Sequence, residues 1–161
     1  MKVVIVGGGW AGCAAAITAK KAGAEVHLFE KTDLLLGLGN VGGIMRNNGR
    51  YTASEELIAL GSGDLIEITD KCARHKDIEF PGHKHATLYD VNIIEGEVRK
   101  YLKNLGINIY TETRVKDVDV DNKKIRLYQE SKLKNKYENT VFLFTGSKDM
   151  KLLINELINK L

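Results

Sequence analysis

Gly7, Gly9, Gly12 and Glu30 are the residues whose types and spacing could do chemistry. The glycines form Gly7-x-Gly9-x-x-Gly12, directly after the apolar run Val3-Val-Ile-Val6. Glycine at the first position allows a tight turn. At the second, the missing Cβ lets a pyrophosphate approach the backbone, and at the third it lets a helix pack closely on the strand. A helix starting near Trp10 would aim unpaired N–H groups, and the positive end of its dipole, at phosphates. Glu30 stands eighteen positions after Gly12, ending a second apolar run, Glu25-Val-His-Leu-Phe29. A carboxylate there can accept hydrogen bonds from the ribose hydroxyls of an adenosine. A strand before, a helix after and an acid at this distance turn a weak glycine motif into a dinucleotide-binding unit.

Two other clusters invite a chemical reading. Gly37, Gly39, Gly42, Gly43 and Gly49 fall within thirteen positions, with Asn40, Asn47 and Asn48 among them. Long loops in compact domains are usually functional or disordered. One reading is a mobile surface loop. The other is a backbone wall around a flat cofactor, with Arg46, Asn47 and Asn48 as donors to phosphate or ring heteroatoms. His75, His83 and His85 surround Pro81-Gly82 on an apparent loop. A His-x-His pair can bind metal or face a substrate, but no third ligand is placed and no metal is expected. Arg46, His83 and His85 are the candidates for catalytic work, and none carries a defined role. Cys13 and Cys72 form neither a CxxC nor a metal spacing. Both read as packing residues in a reducing cytoplasm.

The elements that must position these groups alternate as in an α/β protein. Residues 2–6 read as a buried parallel strand, since Val and Ile run without alternation. Residues 10–22 form an Ala-rich helix closed by Gly23, and 25–29 a second strand. Residues 31–90 read as an insertion of loop and short helices. In it, Thr52-x-x-Glu55 caps a helix over 53–60 and a second helix covers 64–74. Asp90 caps a helix over 91–104, with Gly106 after it. Residues 107–111 form a strand. Alternating runs at 115–120 and 124–128 make a hairpin, and 133–138 adds a strand, giving an antiparallel meander over 112–138. Residues 140–144 are another buried strand, closing at Thr145-Gly146. An amphipathic helix over 148–160 follows.

Composition narrows the function classes. The 161 residues suit one domain, 1–161, with a proper core. With 43% hydrophobic and 28% charged residues the chain reads as globular rather than disordered. A net charge of +3 is too small to argue for nucleic acid. The lysines at 123, 124, 132, 134 and 136, with Arg126, have acidic neighbours and read as a solvated hairpin face. No run of apolar residues is long enough for a transmembrane helix, and the first residues lead into a glycine turn rather than a signal peptide.

The order of parts resembles the FAD-binding domain of the FAD-dependent oxidoreductases. Val3-Val-Ile-Val-Gly-Gly-Gly-Trp-Ala-Gly-Cys-Ala-Ala-Ala16 and Val26-His-Leu-Phe-Glu-Lys31 look like that family's opening. Phe142-Leu-Phe-Thr-Gly146 looks like its later segment ending in Ala-Thr-Gly, with Phe144 where alanine is usual. In that family the meander replaces the helix of an ordinary crossover. The resemblance spans residues 1–146 and implies a Rossmann-type three-layer fold, with a parallel sheet of about four strands and a β-meander crossover. It implies FAD, with NAD as the alternative, bound by Gly7, Gly8, Gly9, Trp10, Ala11, Gly12, Glu30 and Lys31. Gly37, Gly42, Gly43, Arg46, Val115, Thr145 and Gly146 would complete the site. Glu30 argues against NADP. The family's substrate domain and late Gly-Asp segment have no counterpart in these residues. The expectation is therefore the cofactor-binding domain or subunit of an oxidoreductase, its flavin site completed by a second copy or a partner subunit. A non-catalytic assembly subunit is the competing expectation.

Overall fold

The computed structural model describes residues 1–40, 46–47, 57–80, 83–119, 121–127, 135–136 and 140–144. In chain order, β1 is Lys2–Val6, α1 Trp10–Lys21 and β2 Glu25–Phe29. A 3-10 turn at Gly37–Gly39 precedes the short strand β3, Arg46–Asn47. A π-type turn, Ile58–Ser62, leads into α2, Gly63–Lys71. Then come β4 (Ala73–Phe80), β5 (His83–Tyr89) and α3 (Ile94–Asn104). The remaining strands are β6 (Asn108–Tyr110), β7 (Val115–Asp119), β8 (Lys124–Leu127), β9 (Asn135–Lys136) and β10 (Thr140–Phe144).

The central sheet has the order β10-β1-β2-β6, parallel throughout. Val6 lies level with Phe29 on one side and Phe144 on the other, so three strands end together. β1 is apolar along its length because both its faces are covered. Val3 and Ile5 join a core with Cys13, Ala16 and Ile17 of α1 and Val98 and Leu102 of α3. Val4 and Phe29 face the other way, onto Ile125, with Val115, Val118 and Leu127 of the meander beside them. Helices, parallel sheet and meander are the three layers that the sequence implies.

The region between β2 and α3 differs from its sequence reading. The second helix ends at Lys71 rather than 74, and β4 begins at Ala73. His75 and the His83–His85 segment are therefore in strands of an antiparallel β3-β5-β4 sheet, not on a loop. The β4–β5 pairing has three register shifts. Five charged or histidine residues in Arg74–Glu79 break the strict alternation by which a strand is recognised. The proposed capping box at Thr52–Glu55 and the helix over 148–160 lie outside the described residues. α3 starts at Ile94 rather than 91, because Asp90 Oδ1 accepts from Asn92 N at 2.9 Å and holds a turn ahead of the helix.

The π-type turn is fastened to α1. Thr18 Oγ1 donates to Leu60 O at 2.8 Å, Ser62 Oγ donates to Ala14 O at 2.8 Å, and Lys21 Nζ reaches Gly61 O at 3.1 Å. Among the described residues no helix is long and apolar enough to cross a membrane.

Candidate functional site

The parallel strands deliver their C-terminal ends to one crevice, where α/β folds of this kind bind ligands. Gly7 leaves β1 at φ 106, a backbone conformation that glycine adopts readily and other residues rarely do. Its amide donates to Phe29 O at 2.8 Å, which ties the turn to the end of β2. Cys13 N donates to Gly9 O at 2.9 Å and closes the first turn of α1. The amides of Trp10, Ala11 and Gly12 precede that bond and have no acceptor within the helix.

A cavity of about 520 Å³ opens at this point. Gly7, Gly9, Trp10, Ala11, Glu30 and Lys31 line it, with Gly37 and Leu38 beside Gly9. Thr113, Arg114 and Val115, at the entrance to the meander, close it. A Cβ on Gly9 would meet nothing within 4 Å, so the space in front of this glycine is open. Its φ of -70 is ordinary extended backbone, and the positive-φ turn is at Gly7, the first glycine of the motif. Gly8 faces the other way: a Cβ there would come within 2.7 Å of Leu35 Cδ2 and 3.0 Å of Glu30 Cβ.

Glu30 is buried, and its carboxylate is anchored before any ligand arrives. Oε2 accepts from Gly8 N at 2.7 Å. Oε1 accepts from Thr32 N at 2.9 Å and from Thr32 Oγ1 at 3.0 Å. Each carboxylate oxygen can take two donors, so Oε2 keeps a lone pair for a hydroxyl on the cavity side. Glu30 O accepts from Thr113 N at 2.9 Å, and Glu30 N donates to Tyr110 O at 2.8 Å, locking the acid between β2 and the meander entrance. Cys13 is not a reactive thiol. It is fully buried, donates to Gly8 O at 3.4 Å, and burial pushes its pKa up to about 12. Burial also raises Cys72.

Beside the glycine turn, and pressed onto it, runs a strap, residues 33–39, of which Gly37 and Leu38 reach the cavity. Leu36 N donates to Gly8 O at 2.7 Å, and Leu36 itself sits at φ 69. A buried non-glycine residue in that region costs about 1–3 kcal/mol and persists only where its surroundings fix it. Gly39 packs so tightly that a Cβ would lie 2.6 Å from Trp10 Nε1 and 2.7 Å from Tyr89 Oη. Trp10 and Tyr89 rest against each other with ring centroids 5.5 Å apart.

The structure thus brings Gly7, Gly9, Trp10, Ala11, Glu30, Lys31, Gly37 and Val115 to one cavity, with Gly8 and Gly12 buried behind it. Arg46 is in β3. Gly42, Gly43, Thr145 and Gly146 lie outside the described residues. Phe29, Leu38, Thr113 and Arg114 were not singled out from sequence. The last two adjoin Val115 at the meander entrance, and that adjacency is the signal that could have found them.

The profile of one protein family, Glucose inhibited division protein A, matches residues 2–159. The chain belongs to that family. It is a family of FAD-binding oxidoreductases, and this chain is an FAD-binding domain of that kind. None of the matches supports the NAD alternative. No curated protein matches the sequence. Among solved structures, FqzB is similar over 80% of this chain and 32% of its own, with TM-score 0.55 and 18% identity. The Diels-Alderase PyrE3 is similar over 91% of this chain and 32% of its own, with TM-score 0.63 and 14% identity. A Y270F mutant of MHPCO is similar over 84% and 37%, with TM-score 0.54 and 18% identity. At such identities the likeness concerns the fold. The chain spans about a third of the length of these structures.

Proposed function

We propose that the cavity between Gly7–Ala11 and Gly37 holds the ADP half of FAD. The open space in front of Gly9 carries this reading. It is a cradle that any side chain would begin to fill, and it is lined by Trp10 and Ala11, whose amides have no acceptor within α1. The pyrophosphate would lie on the Gly9–Gly12 turn and accept from those amides. The adenosine ribose would donate a hydroxyl to Glu30, and Lys31 and Arg114 would set positive charge at the mouth. Bound FAD supplies the electron-accepting ring, and the protein holds and tunes it. The described residues shape the nucleotide end of the site far more than the flavin end. We therefore infer that a further segment, a second copy or a partner subunit covers the flavin, and that the isolated 1–161 chain is a single, weakly binding domain. The free thiols of Cys13 and Cys72 suit a reducing, cytoplasmic setting.

Equilibrium titration of the purified chain with FAD, NAD and NADP tests the reading. FAD should bind in the micromolar range or weaker, and the two nicotinamide cofactors more weakly still. A 2′-phosphate beside Glu30 meets like charge. Tighter binding of NADP than of FAD would overturn the assignment of Glu30 to the ribose. Stoichiometric FAD retained by a monomer through gel filtration would overturn the incomplete flavin site.

A further inference from the structure

We propose that Glu95 and Arg99 of α3 are positioning residues for the nucleotide site, acting through the 33–36 strap. The inference rests on the reading of the cavity as the FAD site. Neither residue lines that cavity. Their link to it is a chain of hydrogen bonds that can be followed atom by atom.

Glu95 Oε1 accepts from Leu35 N at 3.0 Å. The same oxygen accepts from Arg99 Nε at 2.8 Å and Arg99 Nη2 at 2.6 Å. Arg99 Nη2 also donates to Asp33 O at 2.5 Å. One guanidinium and one carboxylate thus grip the strap at two backbone points, a carbonyl and an amide two residues apart. From Leu35 the path continues. Leu36 N donates to Gly8 O, and Gly8 N donates to Glu30 Oε2, the acid assigned to the ribose.

Burial separates this pair from an ordinary surface i,i+4 ion pair. The Glu95 side chain is 11% exposed and that of Arg99 24%. The strained residue gives the clamp its purpose. Leu36 at φ 69 must be held from both sides. Gly8 O holds it on the site side, and the Leu35–Glu95 bond holds its neighbour on the helix side. Releasing the helix side lets the strap relax toward ordinary backbone. The Leu36–Gly8 bond then loosens, and with it the seat of Gly8 and Glu30. Sequence alone conceals the device: Glu95 and Arg99 look like a solvated helical pair sixty positions from the strap.

The test uses the full 161-residue chain. FAD affinity is measured for the wild type, Glu95→Ala, Glu95→Gln, Arg99→Ala and Arg99→Lys at a temperature where each is folded. Amide exchange at Gly8 and Leu36 is measured without FAD. Glu95→Ala and Arg99→Ala should weaken FAD about tenfold, the loss of a buried charge-assisted hydrogen bond, and accelerate exchange at both amides. Glu95→Gln keeps an oxygen for Leu35 N, and Arg99→Lys keeps a cation for Glu95. Both should stay within about threefold of wild type. A merely structural pair would lower the thermal midpoint while leaving affinity and both amides unchanged, and that result overturns the proposal. Should the wild type itself bind no FAD, the reading of the cavity fails, while exchange at Gly8 and Leu36 still decides the clamp. Should Glu95→Ala not fold, the Arg99 pair of variants carries the comparison.

Discussion

Two neighbouring walls of the cavity are built in different ways. The first, Gly7–Ala11 with Glu30, comes from a single strand-turn-helix-strand unit. Its parts lie within residues 2–30, and the backbone of Glu30 ties it to distant residues, Tyr110 and Thr113. The second, the 33–39 strap, has no regular structure beyond one 3-10 turn. It holds a left-handed leucine, rests on Trp10 and Tyr89, and is fastened to a helix sixty residues away. A wall coded locally tolerates change elsewhere in the molecule. A wall held by distant partners is only as firm as those partners.

The sharpest way to probe the first wall is Gly9→Val. The new side chain enters open space at an ordinary backbone angle, so the fold should survive with a thermal midpoint near wild type. FAD binding, read by titration, should be abolished. Tight binding by this variant would place the phosphates elsewhere.

Gly39→Ala probes the second wall with the opposite logic. Its methyl meets Trp10 Nε1 and Tyr89 Oη at under 3 Å, so the damage is to packing. Overpacking of this kind costs about 1–3 kcal/mol, visible in chemical denaturation. Trp10 is the sole tryptophan, so its emission should shift as the strap moves. Unchanged stability and emission would mean the strap is looser than drawn.

Glu30→Ala returns to the first wall, where the carboxylate accepts from Gly8 N and is proposed to accept from the ribose. Binding should weaken by about 1–3 kcal/mol, the cost of unpaired buried polar groups, and stability should fall as well. Unchanged FAD affinity in a folded variant would sink the ribose assignment.

The smallest effect concerns a contact among the helices away from both walls, where Lys21 of α1, Asp64 of α2 and Tyr101 of α3 meet. Tyr101 Oη donates to Asp64 Oδ2 at 2.5 Å, and Lys21 pairs with the same oxygen. The hydrogen bonds from Lys21 and then Tyr101 hold Asp64 below the usual carboxylate range. Its folded form therefore releases a proton that the unfolded form keeps. The resulting stability is present above the ordinary carboxylate pKa and is lost as pH falls through the lowered one. Burial and then Asp64 push Tyr101 up to about 12. That contribution is complete below pH 10 and lost as pH rises toward 12. Asp64→Asn should flatten the acid side of a stability–pH curve from urea titrations, and should leave FAD affinity unaltered at neutral pH.

Legibility followed the range of the interactions. β1, β2 and β10 have the bounds their largely apolar runs indicate, and in β1 the central Val3-Val-Ile5 is buried on both faces of the sheet. α1 was readable from its alanines and the glycine turn before it. β4 and β5 were not, since their charged residues mask the alternation and their pairing is irregular. Of the cavity's lining, Gly7, Gly9 and Glu30 were named from the sequence because a phosphate turn would demand those residue types. Thr113 and Arg114 were not named, and only their adjacency to Val115 hints that this polar turn meets the cavity.

By itself the sequence determined the parallel order of elements, the helix N-terminus aimed at a crevice, and the acid at the end of β2. These depend on residue type and spacing within one unit, so they could be read before any contact was known. The tertiary structure alone decided which glycine opens on the cavity and which is packed away. It also decided that Leu36 is left-handed and that α3 grips the strap. Those outcomes arise where segments distant in sequence meet, and the energy that fixes them belongs to the contact rather than to either segment.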